Sequence, residues 1–152
     1  RDANLRGAYL GGANLGAAYL GVANIGGATH RDAIYDGPPP ATDQQAITNL
    51  DTVREIILGD PEKLYMDHWH NDNDWKKRTC AEEAVCGTTH CLAGWLQVCA
   101  TDKAVRALPA NFAGAIQAPI AAKMFYRTNQ EVIEWLKERN YVSESLDNQT
   151  VK

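Results

Sequence analysis

The densest group of side chains that could carry chemistry lies in the segment CGTTHCLAGW at residues 86–95. Apolar residues from there onward recur at helical spacing, which predicts a helix over residues 90–100. Cys91 would then lie in its first turn, where the helix dipole and free N–H groups lower the pKa of a thiol. His70, from the preceding loop, or the adjacent His90 would have to accept the thiol proton. One hypothesis for this segment is therefore a cysteine nucleophile.

The same segment contains side chains that zinc prefers as ligands. Four of them lie close together in the sequence: Cys80, Cys86, His90 and Cys91. Their spacing contains no CxxC pair, and adjacent ligands such as His90 and Cys91 are awkward on a helix. We therefore predict no metal site and no cofactor, with zinc as the alternative for these four residues.

Packing alone is the simplest interpretation of the segment. Thr88 or Thr89 would cap the helix, and a buried Cys91 would act as a small apolar residue. Gly94 would allow another helix to approach closely, and Trp95 would lie in the core with a partner for its indole N–H.

A second group of candidates lies in the polar, aromatic loop predicted at residues 67–79. His68 and His70 flank Trp69, and alternate residues of an extended segment point to the same side, so both histidines could face a ligand. A solvated loop with one buried tryptophan is the alternative. The ligand-binding residues predicted from both groups are His68, Trp69, Thr89 and Trp95.

The beginning of the chain is repetitive. Residues 1–35 read RDANL, RGAYL, GGANL, GAAYL, GVANI, GGATH and RDAIY, with alanine always third and leucine or isoleucine fifth through residue 25. This period fits neither a helix nor an alternating strand, and it predicts a square coil with Ala and Leu pointing inward. The pattern A-(D/N)-L-x-x resembles the pentapeptide-repeat family, which implies a right-handed quadrilateral β-helix.

The repeat pattern ends at His30 and Tyr35, and so few repeats cannot bury their own faces, so we expect a truncated solenoid that continues before Arg1 in a longer protein. The predicted domains are the β-helix at 1–35, a proline-rich linker at 36–46, a helical Cys/His domain at 47–141 and a polar tail at 142–152. The predicted fold class is therefore mixed: an N-terminal right-handed quadrilateral β-helix, a pentapeptide-repeat solenoid, followed by a small, mainly α-helical domain.

Local signals predict where helices of the second domain begin and end. Thr52 and Thr128 each precede a Glu by three residues, the spacing of a capping box. The first of these helices should end before Pro61. A further helix over residues 113–127 should be interrupted near, or begin at, Pro119.

The second domain carries its own resemblance. The pair Trp69-His70, the segment CGTTHCLAGW and the segment AAKMFYRTNQEVIEWL resemble a small domain of bacterial and phage proteins, including some pentapeptide-repeat proteins. The resemblance covers roughly residues 47–139 and implies no particular activity. This chain differs by an inserted segment, NDNDWKKRTCAEEAV, which contains Cys80.

Charge and composition restrict the partners. The net charge of −4 and the pI of about 5.5 argue against a nucleic-acid-binding protein, and no apolar run reaches the length of about 18 residues that a membrane span needs. All four cysteines lie between Cys80 and Cys99, which favours a local thiol cluster and hence a cytoplasmic location. We expect a protein or small ligand as partner, no membrane, and self-association through open β-helix ends.

These features predict a binding or scaffold protein in which the β-helix presents a helical recognition domain. One alternative is a cysteine-dependent enzyme that uses Cys91 and a loop histidine. Another is a DNA mimic that binds topoisomerases, as some pentapeptide-repeat proteins do. That alternative is disfavoured because Asp2 is the sole acidic residue of residues 1–30, against Arg1 and Arg6.

Overall fold

The computed structural model describes residues 38–144. The first helix, α1, spans Asp43–Gly59. It begins with a capping box in which the side chains of Thr42 and Gln45 each accept a hydrogen bond from the other residue's backbone N–H. It ends before Pro61, which has no N–H to continue the helical ladder.

Two central helices form the core against which α1 packs. These are α3 (Leu92–Val98), which is buried along its whole length, and α5 (Ala110–Gln117). They approach closely because a glycine faces an alanine: a Cβ on Gly114 would lie 2.9 Å from the Cα of Ala93. The buried face of α1 is formed by residues spaced three or four apart, namely Ala46, Leu50, Val53 and Ile57.

The last complete helix, α6 (Asn129–Glu138), packs against α1. Thr128 starts it through a second capping box, and Arg139 ends it in the left-handed conformation with a φ of 50°. The Arg54 side chain of α1 donates a 2.7 Å hydrogen bond to the carbonyl of Leu136. The same carbonyl accepts the backbone N–H of Arg139 at 3.2 Å, so the Arg54 bond gives it a second donor and joins α1 to the end of α6.

Shorter elements lie around both ends of α3. They are the 3-10 turns Pro61–Lys63, Asp74–Lys77 and Pro119–Met124 and the short helices α2 (Cys80–Val85) and α4 (Lys103–Arg106). A disulfide between Cys80 and Cys99 joins the start of α2 to the residue that follows α3. The Arg106 side chain donates to the carbonyls of Val98, Trp75 and Arg78. These bonds attach the segment around Trp75 to the end of α3.

The predicted fold class is wrong for the chain that the structure describes. Residues 38–144 are 65% helical and contain no strand, sheet, right-handed β-helix or solenoid coil. The physical reason lies in the backbone hydrogen bonds. Within these residues they form mainly inside capped helices, and the only β-type pairing there is two isolated bridges. The predicted β-helix at residues 1–35 lies outside the described residues.

Several of the helix predictions are confirmed, and others are wrong. The helix end before Pro61, the capping box at Thr128 and the interruption at Pro119 are all present. Thr52 caps nothing, because α1 begins earlier and Thr52 lies inside it with its hydroxyl bonded to the carbonyl of Thr48. Among residues 38–144, no helix combines the length and the apolar character needed to cross a bilayer.

The close approach at Gly94 yields a test of this packing. A Cβ there would lie 2.0 Å from the backbone oxygen of Trp69, so Gly94→Ala forces the loop and α3 apart and should cost about 1–3 kcal/mol or more in the free energy of unfolding. Gly59→Ala is the matched control, since a Cβ there meets nothing within 4 Å. Urea unfolding followed by circular dichroism measures both, and a Gly94→Ala protein as stable as the control would contradict this packing.

Candidate functional site

The site is built around a carboxylate with no exposure to solvent. Thr79 caps α2 through a capping box with Glu82, and the next residue, Glu83, is turned into the core. Its Oε2 accepts 2.6 Å hydrogen bonds from the Thr88 hydroxyl and from the His90 ring, and its Oε1 accepts from Arg78. Burial alone would raise the pKa of Glu83, but these three hydrogen bonds together hold it below its ordinary value.

Two histidines extend the network from this carboxylate. His90 Nδ1 lies 2.9 Å from His70 Nδ1, and His70 Nε2 lies 2.8 Å from the side-chain oxygen of Gln97. The Gln97 amide nitrogen donates to two carbonyls, those of Arg106 and Leu108. The polar contacts therefore run without a gap from Arg78 through the core to the segment after α4.

The orientation of the Gln97 side chain determines which ring nitrogens of His70 and His90 carry a hydrogen. Its oxygen faces His70 and can only accept, so His70 carries its hydrogen on Nε2 and accepts at Nδ1 from His90. Burial lowers the pKa of His70 to about 4, so this ring is neutral near pH 7. Because His90 Nδ1 donates to His70, the 2.6 Å contact between His90 Nε2 and the Glu83 carboxylate needs one proton between two acceptors. Burial lowers the pKa of His90, and the hydrogen bond and charge of Glu83 oppose that shift and favour the proton in this contact.

All four ring nitrogens of His70 and His90 are engaged by protein groups, so neither ring offers a free nitrogen to a substrate. Ring contacts fix them further: His70 stacks on Trp75 at 4.3 Å between centroids, and His90 meets Trp95 edge-on at 4.7 Å. This arrangement positions and rigidifies the surrounding segments.

Cys91 does not join the two histidines that were predicted as its partners. It is the N-cap of α3 in place of Thr88 or Thr89, and its sulfur accepts a 3.3 Å hydrogen bond from the backbone of Gly94. Its side chain is 1% exposed, and burial raises the pKa of the thiol to about 12. Within residues 38–144 no histidine ring is hydrogen-bonded to the Cys91 sulfur, so the geometry does not favour a nucleophilic thiolate.

The other cysteines do not form a metal site in this structure. Cys80 is bonded to Cys99, and the Cys86 sulfur lies 2.8 Å from the Thr88 hydroxyl. In the described part of the chain, no group of three or more His, Cys, Asp or Glu side chains could hold a metal ion. The zinc alternative therefore has no geometric support there.

The predicted ligand-binding residues separate into two places. His68 Nε2 contacts the Thr89 hydroxyl at 3.0 Å, and Trp69 follows in the same loop, partly exposed. Trp95 is fully buried, with its indole N–H bonded to the carbonyl of Lys63 at 3.0 Å, as the packing interpretation predicts. His68 and Trp69 are thus accessible to a ligand, whereas Trp95 is not.

An open groove of about 720 Å³ lies between this loop and the turn that leads into α6. Its aromatic and apolar walls come from Met66, Trp69, Phe125 and Tyr126, and its polar lining comes from Asp67, His68, His70, Asn73, Arg127 and Thr128. The rings of Trp69 and Tyr126, one from the loop and one from the turn, meet edge-on with centroids 5.9 Å apart. The groove therefore has a joint aromatic surface to which both segments contribute, with charged groups beside it.

Sequence reasoning missed Glu83, Gln97 and Arg127. Glu83 follows another glutamate within a short polar helix, and nothing in the sequence separates the buried carboxylate from the exposed one. Arg127 precedes a recognisable capping box but looked like an ordinary surface residue. Comparison of the chain with protein-family models, curated proteins and solved structures finds no match, so any function must be argued from this geometry.

The first prediction from the network concerns its carboxylate. Glu83→Gln removes the charge that balances Arg78 and the shared proton on His90, so it should lower the free energy of unfolding by about 3 kcal/mol or more. Glu55→Gln, an exposed change of the same chemistry on α1, should leave it within about 0.5 kcal/mol of the parent. Equal urea midpoints for the two variants would show that the Glu83 charge is not needed.

The second prediction concerns pH. Unfolded His70 takes up a proton near its ordinary pKa of 6.5, whereas the folded ring resists protonation until about pH 4. The unfolded state therefore binds more protons in this window, and the contribution of His70 to stability falls as the pH drops from 6.5 towards 4. Nitrogen-15 NMR of the ring should show a neutral Nε2–H tautomer at pH 6, and a His70 ring that titrates near 6.5 would refute the assignment.

Proposed function

We propose that the helical domain is a ligand-binding module, whose site is the groove between loop 66–73 and turn 125–128. The ligand would be a small molecule that combines a flat apolar ring with a carboxylate. The observation that carries this proposal is the groove itself, about 720 Å³ and lined by aromatic side chains from both segments. Small-molecule sites typically have volumes of about 300–1,000 Å³ and are lined by aromatic residues with a few polar groups.

The aromatic walls favour a planar ligand. Trp69 is held by its neighbourhood, since its backbone oxygen accepts from Cys91 and abuts Gly94. Tyr126, from the turn at residues 125–128, is 38% exposed. Aromatic rings prefer edge-on or offset contacts at the distances found between these two side chains, and a ligand ring can extend that arrangement.

The charged lining favours a carboxylate. The Arg127 side chain lines the groove and makes no hydrogen bond or ion pair with the residues that the structure describes. A guanidinium presents paired N–H donors that match a carboxylate in a bidentate geometry. Asp67 supplies the opposite charge in the same groove, which would suit a ligand with a donor group as well.

The fixed network beneath the groove supports the same function. His70 lines the groove, yet both of its ring nitrogens are bonded to protein groups. A site of this kind can hold a ligand in a fixed shape, but it lacks a free acid or base at that position. No observation among the described residues favours the cysteine-dependent enzyme or the topoisomerase-binding alternative, and both stay predictions.

The proposal is tested by titrating the full chain with indole-3-acetate and following the Trp69 indole N–H by NMR. The expected result is a saturable shift of this resonance. Arg127→Gln should weaken the affinity for indole-3-acetate by about tenfold, because it removes one charged bidentate contact. Lys137→Gln is the control, because it removes one positive charge from an exposed position of α6 that does not line the groove.

Indole, which keeps the ring and lacks the carboxylate, should bind equally to the parent and to Arg127→Gln. Failure of indole-3-acetate to shift the Trp69 resonance, or an unchanged affinity of Arg127→Gln, would overturn the proposal.

A further inference from the structure

We propose that the chain has a second binding site, for a small molecule that carries phosphate groups, in a cationic groove beside Trp75. This groove has a volume of about 440 Å³ and is separate from the proposed ligand groove. Its charged lining consists of Lys76, Lys103 and Arg106, and no carboxylate lines it among the described residues. The lining therefore carries three positive charges, although the chain as a whole has a net charge of −4.

Arg106 is built into this groove and still has donors to offer. One Nη1 hydrogen goes to the carbonyl of Val98, and the two Nη2 hydrogens go to the carbonyls of Trp75 and Arg78. A guanidinium has about five N–H donors, so the Nε hydrogen and one Nη1 hydrogen have no acceptor within the described chain. Because all three partners are neutral carbonyls, the positive charge of Arg106 is not paired with an acid.

The two lysines are exposed, and neither is paired with an acid in the described part of the chain. Asp102 precedes Lys103, but its carboxylate accepts from the backbone of Ala104 at 2.8 Å. Asp74 lies close to Lys76 in the sequence, yet it pairs with Lys77 at 3.2 Å. Neither Lys76 nor Lys103 forms an ion pair among the described residues, so both ammonium groups are available to a ligand, and a groove edged by three cations suits a compact polyanion.

The groove is also held in shape before any ligand binds. The Cys80–Cys99 disulfide and the Arg106 hydrogen bonds both attach the segment around Trp75 to the end of α3. Trp75 stacks on His70, and the Arg106 guanidinium lies 5.2 Å from its ring centroid. The indole therefore orients Arg106 rather than stacking on a ligand, which favours phosphate groups over a nucleobase as the recognised part.

Isothermal titration of the full chain with pyrophosphate tests this site. We expect saturable binding that weakens with added salt, because exposed charges dominate the contact. The double variant Lys76→Gln/Lys103→Gln should bind at least about tenfold more weakly, since it removes two of the three cations. The matched control is Lys123→Gln/Lys137→Gln, which removes the same charge from lysines outside the groove, leaves the Lys77–Asp74 pair intact and should bind as the parent does.

Other outcomes would overturn the inference. The first is that pyrophosphate does not bind to the parent chain. The second is equal weakening in both double variants, which would show that net charge alone controls binding. The third is that citrate binds as tightly as pyrophosphate, which would show that the groove does not select phosphate. None of the four lysines changed in the two double variants is buried, so circular dichroism should show both variants folded.

Discussion

The burial of the Glu83 carboxylate constrains the rest of this structure. A charge without solvent contact is costly unless it is paired and hydrogen-bonded, and here the partners arrive from different segments. Arg78 comes from the loop before α2, Thr88 from the turn after it, and His90 from the segment that precedes α3. Because the carboxylate must meet all of them at once, the positions of these segments depend on one another.

His70 and His90 extend the hydrogen-bond network of Glu83 across the core. His90 is bonded to Glu83 on one side and to His70 on the other, and Gln97 joins His70 to the carbonyls around α4. His70 lines the aromatic groove with its loop, while its ring stacks on Trp75 at the edge of the cationic groove. A single buried polar network thus supports the two surfaces for which we propose ligands, and its full set of hydrogen bonds makes both of them rigid.

The cysteines show how far a sequence pattern can mislead. Their clustering predicted a local thiol site in a reducing cytoplasm, but Cys80 and Cys99 form a disulfide, and Cys91 is a buried helix cap. A cysteine at a helix start has a low pKa only where the thiolate is solvated or paired, and burial outweighs the helix dipole at Cys91. Disulfides persist mainly in oxidising compartments, so this bond does not favour the cytoplasmic location, which stays a prediction.

The sequence by itself determined the features that depend on a few neighbouring residues. The capping box at Thr128 and the helix breaks at Pro61 and Pro119 are local, because a cap or a proline ring acts within one turn. Only the tertiary structure decided that Glu83 is buried while the adjacent Glu82 caps α2, and that His70 contacts His90 instead of Cys91. The reason is that α2 is too short to show a helical period, so which carboxylate turns inward depends on partners that other segments bring to it.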